Sequence, residues 1–215
     1  MEEQTKKIKE HNIDEKTTET FRKELKDIND KLNKIDIDEF TFDDWYSKGT
    51  NEYYNGDKNK AIKYFEKSIR LETNDTNLSK AFFFMGYIYK DELKDNENAI
   101  KYYKMAIEKE HVGAMYNLAL LYEEELKDNE NVIKYYKMAI EKEDARAMNN
   151  LALLYQQELK ENENAIKYYK MSIEKEHVDA MYNLALLYEQ ELKDNENAEK
   201  YYKMYEEYKN AEENE

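Results

Sequence analysis

The stretch "AMYNLALLYEEELKDNENVIKYYKMAIEKE" (Ala114–Glu143) decides the fold. Met115, Leu118, Ala119 and Tyr122 fall at i, i+3, i+4 and i+7, one face of a 3.6-residue period. Val132, Tyr136, Ala139 and Ile140 make a second stripe of the same period. Between the stripes lies "ELKDNEN", where Asp128 or Asn129 offers a short side chain to the unpaired N–H groups of a helix start. The chain has no proline, so nothing breaks either stripe from within. No strand pattern is present. The segment reads as two helices.

It recurs at a spacing of 33 residues. "AMNNLALLY" begins at Ala147 and "AMYNLALLY" again at Ala180, while "AFFFMGYIY" at Ala81 is a diverged copy. A more distant one, "DDWYSKGTNEYYNGDKNKAIKYFEKSIRLE" (Asp43–Glu72), precedes the longer polar linker "TNDTNLSK". Five units result, near 43–75, 81–113, 114–146, 147–179 and 180–210, followed by an acidic tail at 211–215. One helix pair cannot cover its own apolar face, so stacked neighbours complete the core. The expected fold is all-α, a solenoid of five helix–turn–helix repeats.

The last copy departs from the others in an informative way. "NAIKYYKMAIEKE" (98–110) returns as "NAEKYYKMYEEYK" (197–209), with Glu199 for Ile100 and Glu206 for Ile107. A buried isoleucine contributes ~1.5–3 kcal/mol where a neighbouring repeat covers it. Where none does, it starts an apolar patch, and glutamate is the better residue. The two glutamates are therefore read as a polar cap, with Tyr205 and Tyr208 partly exposed beside them.

Ahead of the repeats, Phe21, Leu25, Ile28, Leu32 and Ile35 make a narrow apolar stripe, read as an amphipathic helix within 17–39. It suits docking on the first repeat, or a short coiled coil that would make a homodimer. Docking and a monomer are the favoured pair. Residues 1–16 have little periodicity and are expected to be mobile.

Composition limits the partners. Net charge is −15, which disfavours nucleic acid and anionic membrane. No cysteine is present, so disulfides and thiolate chemistry are absent. The N-terminus is charged from the start and carries no visible secretory signal, and runs such as "LALLY" are too short to span a bilayer. The expected compartment is the cytoplasm. No cofactor, metal or catalytic site is expected. The histidines are His11, His111 and His177. His111 and His177 share one repeat position, two repeats and roughly 20 Å or more apart, and read as turn residues. Consecutive glutamates such as Glu123–Glu125 diverge around a helix axis and close no site. There is no glycine-rich phosphate loop and no nucleophile–base motif.

The first unit resembles the tetratricopeptide signature, through Trp45, Gly49, Ala61 and Phe65 in order. The later units, with "AMYNLALLY" and "YYKMAIEKEHVGA", are similar to the related Sel-one-like repeat. Two departures stand out: Lys48 occupies a usual leucine site, and the glycine-bearing loop of Sel-one-like units is replaced by "EELKDNEN". The resemblance implies a right-handed superhelix of antiparallel helix pairs whose first helices line a concave, protein-binding groove.

On those first helices a second row lies off the buried face. It comprises Tyr116, Leu120 and Glu123 beside Asn117 and Glu124; Tyr46 and Tyr53; Phe83, Tyr87 and Lys90; Asn149, Leu153 and Gln156; and Tyr182, Leu186 and Glu189. Asn117, Asn150 and Asn183 form a ladder of amides, expected to be solvated. Such amides hold an extended peptide backbone without reading its sequence, and tyrosines add contact area. The same asparagines could instead bond to an adjacent helix. Glu123, Glu124 and Glu189 favour a basic ligand. With only Lys80, Lys90 and Arg146 as cations, the acidic heat-shock-protein tails bound by some relatives are disfavoured. The function expected is a non-enzymatic adaptor binding a basic protein segment. The alternative is an assembly subunit joined through its N-terminal helix or end faces.

Overall fold

The computed structural model describes residues 40–72 and 74–212. The stripe Phe21–Ile35, His11 and residues from 213 onward lie outside the described residues. Among the described residues there are ten α-helices and no strand. They fall into two compact units that meet in sequence at Glu72 and Thr73.

The described residues of the first unit form one helix pair, α1 (Phe42–Tyr54) and α2 (Lys58–Leu71). A capping box starts α1: Asp44 N–H donates to Thr41 Oγ1 at 3.3 Å, and Thr41 N–H donates to the Asp44 carboxylate at 2.8 Å. Trp45, Gly49, Ala61 and Phe65 are all buried where the two helices cross. A Cβ on Gly49 would lie 2.9 Å from the Phe65 ring, so the helices meet this closely only over glycine. Lys48 fills the usual leucine site by cation–π contact. Its ammonium is 3.6 Å from the Phe40 ring centroid and 4.6 Å from that of Trp45.

The second unit stacks four pairs. They are α3 (Asp75–Tyr87) with α4 (Asn96–Ile107), α5 (Val112–Leu121) with α6 (Asn129–Glu141), α7 (Ala145–Gln157) with α8 (Asn162–Glu174), and α9 (Val178–Leu187) with α10 (Asn195–Glu212). The segment "TNDTNLSK" is not the linker expected from its polarity. Asn74 accepts from the N–H groups of Thr76 and Asn77, and the helix runs from Asp75. A cap outweighed composition there.

Three second helices start in one way. Asp95, Asp128 and Asp194 each accept from the backbone N–H three residues on, and from that asparagine's amide at 2.7 Å. Of the two candidates in the third copy, Asp128 is the cap. The fourth copy has Glu161, which takes the Asn164 side-chain amide but no backbone N–H.

The first helices α3, α5 and α9 widen into a π-helical turn at Ile88–Glu92, Tyr122–Leu126 and Tyr188–Leu192, whereas α7 stays α-helical to Gln157. The missing loop glycine now has an account. Lys94, Lys127, Lys160 and Lys193 adopt left-handed φ of 53–56°, and Glu110, Glu143 and Glu176 adopt 59–64° in the opposite loops.

The core is tyrosine-rich. Tyr103, Tyr136 and Tyr169 are fully buried, with Leu118, Leu151 and Leu184. Tyr122 stacks on Tyr135, Tyr155 on Tyr168 and Tyr188 on Tyr201, with interplanar angles of 2–8°. These pairs staple the end of each first helix to its partner.

Glu199 and Glu206 are exposed, but the isoleucines they replace are only half-buried in the inner copies. The sharper difference is Tyr205. It stands where Ala106, Ala139 and Ser172 are fully buried, and it packs against Tyr182 at 5.3 Å.

Candidate protein interface

In the second unit α3 approaches α5 and α7 approaches α9, and Asn150 of α7 donates to the Tyr116 hydroxyl of α5. The off-core row of these first helices is only partly covered. Tyr116, Leu120, Leu153 and Leu186 are half-buried, Tyr182 is 42% exposed, and Glu189 is exposed. Phe83 and Tyr87 are half-buried, and Phe83 stacks on His111 at 4.5 Å. Asn149 is an exception at 5% exposure. Tyr46 and Tyr53 belong to the first unit, where Tyr46 packs on Phe42 and Phe65, and Lys58 lies over Tyr53.

The amides are largely engaged with one another. Asn183 donates to Asn149 Oδ1 at 3.0 Å, and Asn149 donates to Asn150 Oδ1 at 3.2 Å. Asn150 in turn donates to the hydroxyls of Tyr116 (3.1 Å) and Tyr136 (3.4 Å). One chain of hydrogen bonds thus crosses three repeats. Asn150 is not the solvated amide expected: its side-chain donors and acceptor are in use. Asn117 faces the buried Tyr103 hydroxyl, which makes no well-aligned hydrogen bond.

A second set of bonds escaped sequence reasoning. Tyr136 donates to Glu123 at 2.6 Å, Tyr169 to Gln156 at 2.8 Å and Tyr202 to Glu189 at 2.9 Å. Each pair spans 13 residues, from a first helix to the second tyrosine of the "YY" that follows. Carboxylate and carboxamide both accept from a hydroxyl, which explains why Glu and Gln alternate there. The equivalent in the second repeat is Lys90, which cannot accept, so Tyr103 has no such bond to its first helix. The 13-residue spacing was visible in the sequence. Its meaning needed the helix crossing.

Electrostatics follow from this burial. Desolvation pushes the Glu123 carboxyl above the usual carboxylate range, against the opposing pull of the Tyr136 hydrogen bond. Desolvation likewise raises Tyr116 and Tyr136. Beside Glu123 opens a cavity of about 520 Å³, walled by Glu123, Lys127 and Asn129 on one repeat and by Leu153, Leu154, Gln157 and Glu158 on the next.

The repeat histidines sit at helix starts. His111 Nδ1 accepts from Ala114 N–H at 3.2 Å, capping α5, and Asp144 does the same for α7 through Arg146 and Ala147. His177 makes no such bond. Among the described residues no group of three or more His, Asp or Glu is placed to hold a metal ion. No described helix is long and apolar enough to cross a membrane.

Family models described as tetratricopeptide repeat match residues 45–75, 79–108 and 145–174, and residues 113–144 and 179–211. The chain belongs to the tetratricopeptide-repeat family. Solved structures of similar fold include a Sel1 repeat protein from Oxalobacter formigenes, at 24% identity and TM-score 0.57, covering 77% of this chain and 73% of that one. MamA matches at 22% identity and TM-score 0.61, covering 78% and 97%. A third is c5321, a protective antigen of uropathogenic Escherichia coli with an SLR fold, at 24% identity and TM-score 0.56; it covers 69% of this chain and 34% of that one. No curated protein sequence matches. At these identities the likeness is one of fold. Repeats of this family are typically protein-interaction scaffolds.

Proposed function

We propose that this tetratricopeptide-repeat chain is an adaptor that holds an extended, net-basic polypeptide across the first-helix face of its second unit. One observation carries the reading: Tyr116, Leu120, Leu153, Tyr182 and Leu186 remain partly uncovered in register on three successive first helices. Glu123, Glu124, Glu158 and Glu189 border them. A partly apolar strip with an acidic edge suits a ligand of alternating apolar and basic side chains. The asparagine contribution is narrower than the sequence suggested. Asn150 is committed internally, while the Asn183 side-chain oxygen remains available to a backbone N–H.

Fluorescence anisotropy with extended peptides tests this directly. A Leu/Lys/Arg peptide should bind more tightly than its Leu/Glu counterpart, and added salt should weaken it. The triple change Leu120→Ser, Leu153→Ser and Leu186→Ser should cut affinity by about tenfold or more, since each partly buried leucine contributes on the order of 1 kcal/mol. Equal binding of both peptides, or an unaffected triple variant with native circular dichroism, would sink the proposal.

A further inference from the structure

The junctions between successive first helices of the second unit differ at one place. Lys90, Glu123 and Gln156 are equivalent residues, 33 apart. Between the second and third repeats, Lys90 reaches across to Glu124, its ammonium 3.1 Å from the carboxylate. Between the fourth and fifth, the Gln156 amide donates to Glu191 at 2.7 Å. Each of these junctions is closed by a donor on one repeat and a carboxylate on the next. At the middle junction the donor is replaced by an acid, Glu123; the residue equivalent to Glu124 is Gln157, and the residue equivalent to Glu191 is Glu158, also an acid. Asn150 donates to the Tyr116 hydroxyl nearer the start of α5 and α7, but at this end no side-chain hydrogen bond or ion pair among the described residues links Glu123 to the next repeat. The opening left is the 520 Å³ cavity.

Its wall has a definite chemistry. Leu153 and Leu154 supply an apolar surface, and Glu123 and Glu158 supply two like charges. Glu123 is held from behind by the Tyr136 hydroxyl at 2.6 Å, so its carboxylate is fixed and not free to swing into solvent. Burial makes Glu123 harder to ionise, and the charges of Glu124 and, least, Glu158 add to it, while the Tyr136 hydroxyl and Lys127 oppose it. Lys127, the cation on the wall, makes no ion pair with either carboxylate and is exposed at a left-handed turn.

We propose that this cavity receives the guanidinium of one arginine from the segment bound on the first-helix face. Five fixed donors let that group bridge Glu123 and Glu158 together, as Lys90 and Gln156 each bridge their own junction. The methylenes of the arginine lie against Leu153 and Leu154. The inference rests on the adaptor reading and adds a specificity point to it.

The probe is the peptide acetyl-Gly-Ser-Gly-Arg-Gly-Ser-Gly-amide, with its citrulline twin as a neutral isostere, titrated into the full chain. Methyl NMR signals of Leu153 and Leu154 should shift saturably with the arginine peptide, and the citrulline peptide should bind at least about tenfold more weakly. Glu123→Gln keeps the acceptor for Tyr136, as Gln156 does for Tyr169, and should still lose about tenfold in affinity. Glu123→Lys places an ammonium in the cavity beside Glu158, should occupy the guanidinium's place, and should abolish binding with an unchanged helical spectrum. Equal binding of arginine and citrulline overturns the proposal. So do shifts that spread over the acidic surface and survive Glu123→Gln. If the arginine peptide fails while the Leu→Ser triple variant still loses the longer basic peptide, the cavity assignment falls and the adaptor reading stands. If the longer basic peptide also fails, both fall.

Discussion

Tyr136 and Tyr202 occupy the same place in two copies of one repeat, yet one is fully buried and the other only half-buried. Their local sequences are nearly identical, and both donate to an acid 13 residues earlier. What differs is the neighbour: a following repeat covers α6, and none among the described residues covers α10. Burial in this array belongs to the stack and not to the single repeat. The copy at positions 195–212 carries Glu199 and Glu206, both exposed, and a half-buried Tyr205.

The largest expected effect breaks that comparison directly. Tyr136→Ala should cost about 3–5 kcal/mol, as for other large buried aromatics. It also strips Glu123 and Asn150 of their shared hydroxyl. Tyr202→Ala should cost roughly 1 kcal/mol, in the range of partly exposed sites. Urea unfolding of the two variants reads the difference. Equal losses would mean that the neighbouring repeat contributes nothing at this position.

A smaller effect comes from exchanging the differing residue. Ala139 is fully buried, and Ala139→Tyr overpacks an inner junction, at a cost of about 1–3 kcal/mol or more. Tyr205→Ala loses chiefly the contact with Tyr182, about 0.5–1.5 kcal/mol. If Ala139→Tyr were as mild as Tyr205→Ala, the small residue would not be what lets successive repeats approach.

The same comparison of copies shows what the sequence could and could not disclose. The 33-residue period, the helix pairs and a cap at Asp128 or Asn129 follow from spacing and short-range chemistry, which act within a few residues. The helical start at Asp75 was hidden because polarity resembles a loop until the Asn74 cap is recognised. The left-handed lysines were hidden because glycine is the usual marker of that conformation. The candidate face was half legible. Its residues were identifiable by periodicity, but most of the bonds that occupy Asn149, Asn150, Glu123 and Gln156 run between helices, at separations of 13 to 35 residues. Such bonds depend on the crossing of helices, which periodicity does not contain.

The smallest effect sharpens the comparison at the start of the second helices. Asp95, Asp128 and Asp194 each cap their helix, but Glu161 in the fourth copy has one methylene too many and caps no backbone N–H. Glu161→Asp should restore the pattern and raise Tm by about 2 °C at neutral pH. The gain should also carry a signature. Side-chain and then backbone hydrogen bonds from Asn131 hold the Asp128 carboxyl below the usual aspartate range, and the Asp194 carboxyl is held the same way by Asn197. A group whose folded pKa is depressed contributes stability above its unfolded value, near 3.9, and loses it as pH falls through the folded value. The Tm difference between Glu161→Asp and the parent should therefore be constant from neutral pH to about 5. It should vanish near pH 3 or below, as the new carboxylate takes its proton and ceases to accept two N–H groups. A gain that persisted unchanged at the lowest pH would show that side-chain length, and not the charged cap, separates the fourth copy from its neighbours.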